Sequence, residues 1–112
     1  MQNQAWYIAI LVLECDVEGP PAERLVDLQL RLVRACDPAN ALRSAEAMGL
    51  DSQHAYLNAE GEEVRWVFRG LHDLRATDDP EPVHGAEVYS RFDSQPATDL
   101  VTSRAQLSAF GR

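Results

Sequence analysis

The chain has 112 residues, the length of one domain, and its 46% apolar and 25% charged residues exclude wholesale disorder. The net charge is −8; all ten basic residues are arginine, and residues 1–75 carry −5 while 76–112 carry −3, so no basic half is hidden by averaging. That balance argues against a nucleic-acid or anionic-membrane partner and favours solubility.

The first predicted element is "WYIAILVLEC", Trp6 to Cys15. Trp6, Ile8, Ile10 and Val12 alternate with Tyr7, Ala9, Leu11 and Leu13, so both faces are apolar and the strand belongs inside a sheet. The run has no basic n-region and no cleavage site. It is also shorter than the ~20 residues that span a bilayer. "EGPP" then turns the chain. In "RLVDLQLRLVRA", Arg24 to Ala35, Val26, Leu28, Leu30 and Leu32 point one way and Asp27, Gln29 and Arg31 the other, a half-buried strand in a hairpin with the first.

At Asp37 the period changes. Asp37 suits an N-cap and Pro38 a first helical position. Ala41, Leu42, Ala45, Met48 and Gly49 mark one helical face, and the helix ends at Gly49 or resumes through "LDSQHAYLN" until Asn58 and Gly61 close it. "EEVRWVFRGLHDL", Glu62 to Leu74, reads as a third strand, with Val64, Trp66 and Phe68 packing between sheet and helix and Gly70 marking a bulge or a close approach. After the acidic loop "ATDDPEPVHG", the stretch "AEVYSRFD", 86–93, reads as a fourth strand. In the tail, Ser103 and Gln106 have capping-box spacing ahead of Leu107 and Phe110; a frayed tail is the alternative.

The expectation is therefore a single α+β domain over 1–112 with a core of about 6–92 and a tail or short helix over 93–112. Its antiparallel sheet of four strands has the order 2-1-3-4 and carries one principal helix on one face. One helix cannot cover both faces, yet the first strand is apolar on both, so the tail or a second copy must cover the other.

Several residues along the middle and end of this chain resemble a known family. Trp6-Tyr7, His54 and Tyr56, Gly61-Glu62, Val64, Trp66, Phe68, Gly70, Asp73-Leu74 and Glu87-Val88-Tyr89-Ser90-Arg91 are similar to the DUF4288 family of small bacterial proteins, over most of residues 6 to 92. The resemblance implies a stand-alone domain and names no substrate. Where the family is richer in lysine and glutamate around the helix, this chain has the short, alanine-rich "ALRSAEAMG".

The residues offer one ligand-binding constellation: His54, Tyr56 and Trp66 with Glu87, Tyr89 and Arg91. His54 and Tyr56 suit an acid–base pair if they share a face. Glu87, Tyr89 and Arg91 alternate and can grip a carboxylate or polar group. The plainer alternative is that His54 caps a helix end, Tyr56 packs at the core edge, and Glu87 and Arg91 form the solvent face of an edge strand. Arg65 or Arg69 is expected to lie across from Glu87. His84 among Asp78, Asp79 and Glu81 is expected to be solvated rather than to hold a metal. No nucleophile elbow or phosphate loop is present, so no catalytic residue and no cofactor is assigned, and whether the protein is an enzyme stays open.

Cys15 and Cys36 fit two small thiols in a reducing cytoplasm. The leading functional expectation is a non-catalytic interaction protein that forms a homodimer and has a further protein partner open to it. The alternatives are a small-molecule-binding protein or enzyme, and an immunity-like or antitoxin-like acidic protein that blocks a basic partner.

Overall fold

The computed structural model describes residues 4–17, 25–90 and 92–110. The expected Gly-Pro-Pro turn and Arg91 lie outside them. The chain runs through strand β1 (Ala5–Val17), strand β2 (Val26–Ala35), helix α1 (Pro38–Asp51), strand β3 (His54–Leu57), strand β4 (Glu63–Ala76), a short helix α2 (Ala97–Leu100) and a 3-10 turn (Arg104–Gln106). It is a mixed α+β fold with one antiparallel four-stranded sheet and one main helix.

The sheet order is β2-β1-β4-β3. The stretch 63–76 takes the expected place beside β1, but the outer strand is 54–57, not 86–93. Residues 86–90 lie outside any strand, held by side chains and by the backbone of the preceding loop rather than by a neighbouring strand. Arg75 Nη1 donates to the Ser90 carbonyl at 2.7 Å, and the Glu87 amide donates to the Asp79 carboxylate at 2.9 Å. The segment "HAYLNAEG", read as helix continuation, is instead one arm and the turn of a β3–β4 hairpin. In the tail, Ser103 Oγ meets Gln106 Oε1 at 3.1 Å, but the turn there has no side-chain cap.

β1 is buried along both faces from Tyr7 to Leu11. One face, with Tyr7, Ala9, Leu11 and Leu13, joins Val33, Ala35, Ala41 and Ala45 in the core, and Met48, Trp66, Phe68, Leu71 and Leu74 pack against it. Trp66 and Phe68 thus pack on the helix-facing side, as their alternation indicates. Beyond Phe68 the apolar spacing in β4 is three residues, which a regular strand would send to alternate faces. Two register irregularities, at Ile10/Leu11 and Val12/Leu13, correct it. They leave His72 and Arg69 as the extra residues, so Phe68, Leu71 and Leu74 oppose Leu13, Leu11 and Ala9 on one face. Gly70 lies between the two, with φ 140°, a conformation that strains any residue with a Cβ.

Helix α1 starts where expected. Asp37 is the N-cap, its side chain accepting from the Asn40 amide at 2.8 Å, and Pro38 follows it. Gly49, one of the two ends left open by the sequence, lies inside the helix, which stops at Asp51. Ala41, Ala45 and Gly49 form its buried stripe. A Cβ on Gly49 would run into the Phe68 ring, so the helix backbone rests directly on that aromatic.

Two outcomes follow from the helix. Gly49→Ala gains about 0.5–1 kcal/mol of helix propensity but forces an overpacked ring, at about 1–3 kcal/mol. The net is a loss of about 1–2 kcal/mol in urea unfolding, reduced when Phe68→Leu is added. The Asn40 amide holds the Asp37 carboxyl below its ordinary 3.8, outweighing the opposite pull of desolvation. Since the folded value is the lower one, the cap's contribution is complete above that ordinary value and fades as pH falls through the folded value. Asp37→Ala therefore lowers the melting midpoint at about pH 7, and the gap from wild type narrows at about pH 3 in circular-dichroism melts.

Candidate functional site

The β3–β4 hairpin brings three of the sequence candidates together. His54 lies directly opposite Trp66, and Tyr56 opposite Val64. Through β4 these residues share the face that carries α1, because Trp66 opposes Cys15 and Val64 opposes Val17. The His54 and Tyr56 rings stack, with centroids 6.1 Å apart and planes 17° apart. His54 Nδ1 lies 3.0 Å from the Ser52 carbonyl, which can only accept. Nδ1 therefore carries the proton of the neutral ring, and Nε2 is its free acceptor.

Asn58 fixes this hairpin. Its side-chain oxygen accepts from the Glu60 and Glu62 amides at 3.0 and 2.9 Å, and its Nδ2 donates to the Glu62 carboxylate at 3.1 Å. Its own amide donates to the Glu62 carbonyl, and Gly61, at φ 78°, donates back to the Asn58 carbonyl. The sequence holds the signal, an Asn and a Gly three residues apart, but the same pair also ends helices, so it does not by itself separate the two.

A broad cavity of about 490 Å³ lies where the hairpin begins, lined among others by His54, Trp66, Gln53, Asp16, Arg65 and Arg69. Gln53 and Asp16 were missed by the sequence reading. Gln53 Oε1 accepts the Phe68 amide at 3.0 Å, just past the point where β3 stops covering the edge of β4. The two arginines do not pair with Glu87 as expected, because 86–90 is not a strand beside them. Arg65 pairs with Asp16 at 3.5 Å and Glu63 at 3.6 Å, and Arg69 with Glu14 at 3.0 Å. Asp16 is the directly opposite cross-strand residue of Arg65. These pairs are exposed enough to contribute under about 1 kcal/mol each.

Glu87 and Tyr89 sit elsewhere. The Tyr89 hydroxyl donates to Asp73 at 3.2 Å, and Arg75 lies over the Tyr89 ring at 4.9 Å. Asp73 and Arg75 oppose Ile10 and Ile8, on the face away from α1. Asp78 completes this cluster, paired with Arg75 at 3.5 Å and accepting from Ser90 Oγ at 3.2 Å. Of the five described candidates only His54 and Trp66 line the cavity, with Tyr56 stacked beside them. Arg91 is outside the described residues. Asp78 and Asp79 serve as acceptors within their loop, and among the described residues no group of three or more His, Cys, Asp or Glu is placed to hold a metal ion.

The cavity is lined by an imidazole, an indole, an amide already engaged by the sheet and the paired side chains of Asp16, Arg65 and Arg69. That set suits packing and polar contact, and no Ser, Thr, Cys or Lys lies among its lining residues. Among the described residues no helix is long and apolar enough to cross a membrane.

The sequence pattern of the family described as "Domain of unknown function (DUF4288)" matches residues 6–90, and the chain belongs to that family. No curated protein and no solved structure matches it. The matched span ends with the Arg75-bound segment and includes all of the sheet but Ala5.

Asn58→Ala removes the acceptor of two exposed or part-buried hairpin amides, at a cost of about 0.5–1.5 kcal/mol. The expected readout is faster hydrogen exchange of the β3 amides, with β1 protection falling only by the global loss.

Proposed function

We propose that this DUF4288 protein is a small, non-catalytic interaction protein that works as a homodimer in the bacterial cytoplasm. The observation that carries this reading is the row Val26, Leu28, Leu30 and Leu32 on β2, exposed at 52%, 53%, 58% and 43%. Leu30 and Leu32 lie directly opposite Ile10 and Ile8, which are only 6% and 4% exposed. The apolar surface of the second face thus starts buried on β1 and continues bare onto β2, an edge strand. Alternation that sequence alone assigns to burial has no cover among the described residues. Such a row is what an interface leaves when its partner is removed. The two free cysteines, Cys15 and Cys36, fit a reducing compartment.

Light scattering tests the reading. A mass of twice 12.5 kDa is expected, with Leu30→Asp returning the chain to a monomer of unchanged circular dichroism. Salt gives the sign of the driving force. Two copies of net charge −8 repel, and salt screens that repulsion. An apolar homodimer therefore tightens as salt rises, whereas an acidic protein made to cover a basic partner would bind that partner less tightly. A monomer at every concentration and salt would overturn the proposal.

A further inference from the structure

The four residues of the β2 row, each about half exposed, leave on the order of 50 Å² apiece to bury. That is far short of the ~800 Å² per partner of a standard interface. Row against row is too small, so the partner must bring more apolar surface. The chain's last segment has it. Every described residue from 92 to 110 is exposed. Phe92, Leu100, Val101, Leu107 and Phe110 are exposed at 106%, 48%, 77%, 43% and 59%.

This segment is locally shaped. The Leu107 amide donates to the Ser103 carbonyl, the Phe110 amide donates to the Leu107 carbonyl, and Arg104 lies over the Phe110 ring at 4.9 Å. Leu107 and Phe110 are thereby held three residues apart on one short turn, both exposed. The segment also stands off its own sheet. The radius of gyration is 17.6 Å, against about 13 Å for a compact domain of this length. Its charges are Asp93, Asp99 and Arg104, a net −1, so it approaches another acidic copy with less repulsion than the body does. The row from Val26 to Leu32 spans about 20 Å at the rise of an extended strand, within reach of a segment this long.

We infer that segment 92–110 docks across the Leu28–Leu30–Leu32 row of a second copy, exchanged reciprocally. The inference rests on the homodimer proposed above and names what covers the row. Two full-length variants separate the ideas, and both change residues already exposed, so folding is not at stake: Leu30→Asp on the row, and Leu107→Asp with Phe110→Asp on the tail. Both are expected to raise the dimer dissociation constant at least a hundredfold by light scattering. Mixed one to one, they are expected to associate at least tenfold more tightly than either does alone, since one intact tail then meets one intact row. If the tail variant dimerises like wild type while Leu30→Asp does not, the exchange is wrong and the homodimer stands. If wild type is a monomer, both fall.

Discussion

The sheet depends on how closely α1 can sit. A helix with leucines on its inner face would stand off by a side chain's depth; this one presents Ala41, Ala45 and Gly49, and brings its backbone onto the Phe68 ring. That proximity lets a single fourteen-residue helix seal one face of β1 and β4. It also fixes the start of the hairpin, because Ser52 and Gln53 follow at once. Ser52 binds Arg31 of β2 at 3.1 Å, and Gln53 binds the backbone of β4. The helix end thus ties the outer side of the sheet on the left to the outer side on the right.

What the helix does not do shapes the second face. There β1 is flanked by two different neighbours. On the β4 side, Arg75 gathers Asp78, the Ser90 carbonyl and the Tyr89 ring, and folds the following loop against the sheet. On the β2 side are leucines that no other described residue covers. The polar residues of β2, Asp27, Gln29 and Arg31, turn toward the helix side instead. There they bond one another and Ser52, at the margin of the helix.

Much of this was legible in the sequence. The two-sided apolar run of β1, the Asp37-Pro38 helix start and the place of 63–76 beside β1 follow from residue type and period alone. The failures have specific causes. Asn58 and Gly61 serve a hairpin turn as well as a helix end, and only the pairing of His54 with Trp66 decides between them. Glu87 to Phe92 alternates like a strand, but nothing local reveals that β4's free edge goes to β3 and that Arg75 takes the Ser90 carbonyl. Gly49 looks like a helix stop because its tertiary role, close approach to an aromatic nineteen residues later, has no local signature. For the site, the same hairpin decision mattered: it placed His54, Tyr56 and Trp66 together, while Glu87 and Tyr89 went with Arg75.

The two borders of the sheet are built differently, and that sets how copies can add. The β3–β4 border is broken up: β3 has four residues, Gln53 occupies the Phe68 amide, and β4 carries two bulges beyond it. Such a border offers no straight ladder to an incoming strand. The β2 border is ten residues long, regular in register with β1 and lined by leucines on one side. A body with two such borders would stack without end into a fibre. With a single one, any edge-to-edge addition would stop at two, so the irregularities of β4 would deny such association an open-ended path.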